Sequence, residues 1–138
     1  TSRLYEFLYH LCRSYSHQIP SASLTGSQRD LQRVTHVMNW VKVHYPEPLS
    51  LETAADSLAL SKEYFCRLFK KYTGQTFLEY LNDVRTMHLY EDLQNSDETI
   101  TVLMEKNGLS NYKIFMRTFK KLYGSTPQKM RSNRIRHV

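Results

Sequence analysis

The sequence predicts an all-α protein built from two related helical units. Three observations carry this: apolar residues recur at helical spacing along most of the 138 residues, only four Gly and four Pro interrupt them, and a stretch near the middle returns fifty positions later. No strand-like alternation bounded by hairpin turns stands out. A hydrophobic content of 41% is enough for a compact core.

Leu4, Phe7, Leu8, Leu11 and Tyr15, widened by Tyr5, Tyr9 and Cys12, form the apolar stripe of a short first helix that must bury itself against something. Residues 16–28 then turn polar, with four Ser, Pro20 and Gly26, and read as a flexible linker. From Asp30 to Tyr45, the spacing of Leu31, Val34, Met38, Val41 and Tyr45, with Val37 beside them, predicts a helix that Pro46 and Pro48 end. Trp40 lies off that stripe, at a helix edge.

Ser50 can cap a shorter helix whose apolar stripe is Leu51, Ala54, Ala55 and Leu58, and Ala59-Leu60 leads to Ser61, the cap of the next. In that next helix Phe65, Leu68, Phe69 and Tyr72 face a core. Glu63, Cys66, Arg67 and Lys70, with Lys71 beside them, face out, and Gly74 supplies the left-handed stop. Small residues at 54 and 55 let the two helices cross closely, as a helix-turn-helix unit requires. Taken alone, the stretch is equally an ordinary amphipathic hairpin with a solvated basic face.

The repeat weighs against the ordinary hairpin. Phe69-Lys70-Lys71-Tyr72-Thr73-Gly74 returns as Phe119-Lys120-Lys121-Leu122-Tyr123-Gly124, Phe65 and Arg67 return as Phe115 and Arg117, and Leu60-Ser61 returns as Leu109-Ser110. Core packing explains a repeated apolar stripe. It does not explain a repeated Arg and Lys-Lys on the exposed face.

Between the copies, Thr76 and Glu79 form a capping box that opens a helix running to about Leu93, with Phe77, Tyr80, Leu81, Val84 and His88 as its core stripe. Thr99 caps the next helix, where Ile100, Leu103 and Met104 face inward; Asn107-Gly108 ends it, and Ser110 starts the second basic helix. There Phe115, Phe119 and Leu122 face the core, while Tyr112, Lys113, Met116, Arg117 and Lys120 face out. Thr126-Pro127 opens a last short helix. Arg131, Arg134 and Arg136 make its end basic, and it reads as frayed and solvated.

Charge follows the repeat. Residues 1–60 hold five basic and five acidic side chains, and residues 61–138 hold fourteen and eight, so the whole net charge of +6 lies with the two units. Such a face suits a polyanion, because each neutralised phosphate releases condensed counterions; surface solubility is the plainer use of the same charge.

The doubled pattern resembles the DNA-binding domain of the AraC/XylS transcription regulators, from about Asp30 to Arg131. The strongest part is the second-unit signature Gly108-Leu109-Ser110, Phe115, Arg117, Phe119-Lys120-Lys121, Gly124, Thr126-Pro127. The resemblance implies homeodomain-like helix-turn-helix subdomains at 29–75 and 96–138 joined by a linker helix at 76–95. At 1.5 Å per residue the roughly eighteen residues from Thr76 to about Leu93 span about 27 Å, suited to holding two recognition helices in groove segments roughly 34 Å apart. It also implies that residues 1–28 are the tail and linker of an amino-terminal sensing or dimerising domain, with residues 3–15 at a homodimer contact. Met104 stands where the family usually has a small Ala, Asn107 where it has an apolar residue, Leu109 where it has Phe, and Leu89 where Ala is common, so repacking of the second unit is expected.

On this reading Arg67 and Arg117 are the base readers, since an Arg can give two hydrogen bonds to guanine O6 and N7. Glu63 can accept from a cytosine amino group, Cys66 and Met116 can touch thymine methyls, and Tyr112 and Lys113 lie where the family's second unit approaches DNA. Lys70, Lys71, Lys120 and Lys121 are expected on phosphates, as are the helix starts at Ser50, Ser61, Thr99 and Ser110.

The expected partner is double-stranded DNA, with RNA polymerase recruited by an activator and a small-molecule effector acting only through a further domain; a cytoplasmic bacterial protein follows. A helical module whose basic face binds an acidic protein is the alternative, and a small helical nucleic-acid enzyme a third. For catalysis the sequence offers little. His10, His17, His36, His44, His88 and His137 have no metal-ligand spacing, Cys12 and Cys66 form no paired motif, and there is neither a Gly-rich phosphate loop nor a nucleophile elbow. No cofactor, metal or catalytic residue is expected, and no apolar run is long enough to span a membrane.

Overall fold

The computed structural model describes residues 25–136, which form seven helices and no strand: α1 Gly26–His44, α2 Leu51–Ser57, α3 Lys62–Thr73, α4 Phe77–Asn95, α5 Ile100–Lys106, α6 Tyr112–Tyr123 and α7 Pro127–Arg136. The expected helix and dimer contact at residues 3–15, Cys12, His10, His17, His137 and most of the expected linker lie outside the described residues. The described chain divides into two compact units. The first holds α1 as far as Val43 together with Leu49–Phe77, and the second holds His44–Pro48 and the residues from Leu78 onward.

In the first unit Val34, Val37, Met38 and Val41 of α1, Ala54 and Ala55 of α2 and Phe65, Leu68 and Phe69 of α3 are buried, as their spacing predicted. Phe65, Phe69 and Phe77 form a ring cluster with centroids 5.7–5.9 Å apart, and truncating one such ring to Ala costs about 3–5 kcal/mol. α2 and α3 pack together, and the short side chains of Ala54 and Ala55 on α2 are fully buried. Residues 58–61 make the turn, and Ala59 takes a left-handed φ of 56°.

α1 begins at Gly26, four residues before the expected start at Asp30 and inside the expected linker. The cause is a reciprocal cap: the Thr25 amide donates to Gln28 Oε1 at 2.8 Å and the Gln28 amide donates to Thr25 Oγ1 at 3.3 Å. The Tyr72 hydroxyl of α3 then donates to the Ser27 carbonyl at 3.3 Å, tying this first turn to the unit.

The second unit is built around Leu89, Leu93, Leu103, Met104, Leu109, Phe115 and Phe119, with Tyr90, Ile100, Met116, Tyr123 and Met130 packed against them. Tyr90 and Tyr123 stack at 4.1 Å. All four departures from the family pattern are inside: Met104, Leu109 and Leu89 are buried in the cluster, and Asn107 satisfies its amide by donating to Asp92 Oδ2 at 3.0 Å and to the Leu103 carbonyl at 2.8 Å.

Three local expectations change here. α4 runs two residues beyond Leu93, to Asn95. His88 is not a core residue: its side chain is 35% exposed and its ring lies flat on Tyr45, with centroids 3.9 Å apart. Arg131 and Arg134, expected to be frayed and solvated, are held in place. Arg134 donates to the Leu93, Gln94 and Ser96 carbonyls at 2.7–3.3 Å and to the Asp97 carboxylate at 2.7 Å, and Arg131 donates to the Ser96 carbonyl at 3.2 Å. Arg134 thereby occupies two carbonyls that the end of α4 leaves without helical partners, and both arginines hold the Ser96 carbonyl just beyond it.

Candidate nucleic-acid interface

α3 and α6 are twelve residues each and share one construction. Ser61 Oγ accepts from the Tyr64 amide at 3.2 Å and Asn111 Oδ1 accepts from the Ile114 amide at 3.1 Å. Gly74 and Gly124 end the helices in left-handed conformations at φ 78° and 72°, their amides donating to the Lys70 and Lys120 carbonyls. Phe65, Leu68 and Phe69 fill one face of α3, and Phe115, Thr118, Phe119 and Leu122 fill one face of α6. The opposite faces are left to solvent.

On α3 that face presents Glu63, Cys66, Arg67, Lys70 and Lys71, all exposed. On α6 it presents Tyr112, Lys113, Arg117, Lys120 and Lys121. Met116, expected to touch a thymine methyl, is only partly accessible and packs against the second unit's core, where a flexible thioether fills space readily. Lys121 is also engaged, donating to Asp83 Oδ1 at 3.0 Å, where the carboxylate side chain is only 3% exposed.

Ser110 is not the start of α6. The cap is Asn111, because the turn at 107–111 is one residue longer than the turn at 58–61. The repeat therefore has two registers, forty-nine positions up to Leu109-Ser110 and fifty from Asn111 onward. Two other predicted caps hold: Ser50 Oγ accepts from the Thr53 amide and Thr99 Oγ1 from the Val102 amide. A cap satisfies one of the four amides at a helix start that have no intrahelical partner, leaving others for a phosphate oxygen.

A feature that the sequence did not single out is the ion pair between Lys62, the first residue of α3, and Glu52 of α2, at 2.9 Å. The hydrogen bond from Lys62 holds the Glu52 carboxyl below the usual carboxylate range and raises Lys62 in turn. The corresponding place in α6 is Tyr112, and no acidic residue lies in that helix's first turn. The amino-terminal edge of α3 thus carries Glu63 and a balanced pair, whereas that of α6 carries the cation Lys113.

Residues 54–133, which run from α2 into α7, match the family model of a helix-turn-helix domain. The chain belongs to the AraC-type helix-turn-helix family. This is a family of DNA-binding transcription regulators rather than of enzymes. Among relatives of this AraC-type domain, the HTH-type transcriptional activator RhaS of Escherichia fergusonii is 31% identical over 111 residues, 80% of this chain and 40% of that protein. An uncharacterized HTH-type transcriptional regulator of Staphylococcus aureus is 33% identical over 102 residues, 74% of this chain and 14% of that protein. The chain thus spans less than half the length of these curated relatives. Among solved structures, the DNA-binding domain of AdpA, a global transcriptional factor in complex with a target DNA, superposes with a TM-score of 0.66 at 25% identity, covering 73% of this chain and 91% of that one. No described helix is long and apolar enough to cross a membrane.

Proposed function

We propose that the chain binds double-stranded DNA in a sequence-dependent way, α3 and α6 each offering its exposed basic face to a major groove. The observation that carries the reading is the doubled surface: two helices capped alike and buried alike present Arg67 and Arg117 in the same register. The AdpA domain, solved on DNA, supports it. Arg67 and Arg117 read guanines, Glu63 accepts from a base amino group, and Cys66, Tyr112 and Lys113 line the base-facing edges. Lys70, Lys71 and Lys120 contact phosphates together with the helix starts at Ser50, Ser61 and Thr99. The protein works in the bacterial cytoplasm. Similarity to a relative named as a transcriptional activator supports activation, with RNA polymerase as partner. An effector, and pairing through residues 3–15, belong to the same reading, since the relatives extend well beyond the matched part.

Selection from randomised duplexes tests this. Enrichment of two short boxes about one helical turn apart, with affinity falling steeply between two salt concentrations, is the expected result; salt-sensitive binding to every duplex without enrichment would overturn sequence reading by this chain.

A further inference from the structure

Tyr45, Pro46 and Glu47 lie in sequence between α1 and α2 of the first unit, yet they belong to the second. Side chains of α4 hold them there. Arg85, on α4, donates through Nε to the Tyr45 carbonyl at 2.6 Å and through Nη2 to the Glu47 carbonyl at 2.7 Å. One helical turn further along the same face, His88 stacks on the Tyr45 ring with planes 4° apart. Burial lowers the Arg85 guanidinium from its ordinary range, and two charge-assisted bonds offset that burial.

The clasped segment lies on the turn of the second helix-turn-helix. At Gly108, with φ 77°, an added Cβ would fall 2.9 Å from the Pro46 carbonyl oxygen, 3.0 Å from the Tyr45 carbonyl oxygen and 3.0 Å from Arg85 Nε. On the helix side Asn107 anchors the same turn to Asp92 and Leu103. Residues 107–111 are thereby held from two directions, and α6 begins directly after them.

We propose that Arg85 is a positioning residue for DNA reading: by bonding the Tyr45 and Glu47 carbonyls it holds the 45–47 segment, whose Tyr45 and Pro46 carbonyls lie against Gly108, and so fixes the turn from which α6 presents Tyr112, Lys113 and Arg117. Its Nε and Nη2 are turned to backbone carbonyls, so it acts through the second turn rather than on a phosphate. The inference rests on the DNA-binding reading for its consequence, and on the turn geometry alone for its cause.

The test uses the full chain, R85A, R85K and G108A, and the wild-type-selected duplex. R85A and G108A should each weaken binding about tenfold, losing protection of one box and keeping the other, and the double variant should be no weaker than the worse single one, because both act on one contact. R85K, which keeps the charge and can reach one carbonyl, should recover part of the loss; it decides the matter if R85A does not fold. Independently of DNA, R85A should speed hydrogen exchange of the Leu109 amide, bonded to the Met104 carbonyl, and not of the Leu60 amide, bonded to the Ala55 carbonyl. Unchanged Leu109 exchange, wild-type protection by R85A, or additive losses would overturn the proposal. A wild-type chain that enriches no site would overturn the DNA reading instead, and the exchange experiment would still decide the turn.

Discussion

Asp83 and Lys121 meet at 3.0 Å across 38 positions of sequence, an almost fully buried carboxylate on α4 gripping the last turn of α6. The paired lysines at the end of each recognition helix are therefore not equivalent in the second unit: Lys120 is exposed on the reading face, while Lys121 fastens the helix to its scaffold. K120A should lower the log–log salt slope of duplex binding by about 0.9 and leave stability nearly unchanged. K121A should cost on the order of 1–3 kcal/mol in urea unfolding and leave that slope close to wild type. Equal slope changes in the two variants would return Lys121 to the phosphates.

The helix start at Asn111 gives a sharper test. N111A removes the acceptor for the Ile114 amide and should destabilise the chain by about 1 kcal/mol. S110A should have no effect beyond a few tenths. Chemical denaturation of the two variants side by side distinguishes them, and a reversed order would restore Ser110 as the cap.

Arg134 should behave as a structural residue although it sits in the basic tail. Replacing it with Ala leaves the Leu93, Gln94 and Ser96 carbonyls without its bonds, so unfolding should become easier by about 1–3 kcal/mol. Salt dependence of binding to the selected duplex should not change. A lower slope with intact stability would place Arg134 on DNA.

Glu52 and Lys62 set a pH window. A carboxyl depressed in the folded state stabilises the fold above its unfolded range, and that contribution is lost as pH falls through the folded value; Lys62, raised by the same bond, contributes until pH rises through its own folded value. Both side chains are exposed, so the effect on stability is small. E52Q should flatten the acid limb of thermal stability slightly. By leaving Lys62 without its counter-charge, it should steepen the salt dependence of DNA binding by about 0.9. An unchanged slope would show that Lys62 does not reach a phosphate.

Much of this was legible because it is local. Ser50, Ser61, Thr99, Gly74 and Gly124 act on amides and carbonyls within one turn, and the burial of Phe65, Phe69, Phe115 and Phe119 follows from helical spacing. The Thr25–Gln28 box was just as local, but the surrounding Ser and Gly read as linker composition. Asn111 was displaced because aligning the Leu-Ser pairs hides an extra turn residue, and Ser and Asn cap equally well. The Arg134, Lys121 and Arg85 contacts span 37 to 41 positions. Long cationic side chains leave no periodic trace of which carbonyl or carboxylate will hold them. For that reason an exposed-looking basic residue and a scaffold clamp read alike in sequence.

Ala59 and Gly108 occupy corresponding left-handed places in the two turns, but only Gly108 is walled in by backbone. At 59 a side chain is already present, at a conformational cost of roughly 1–2 kcal/mol, and the position is open to solvent. Random substitution would therefore be tolerated unequally by the two copies. Position 59 can drift among short residues such as Asn, Ser and Gly, while at 108 every replacement collides with the segment lying across it, so one half of a duplicated motif is mutationally open and the other closed.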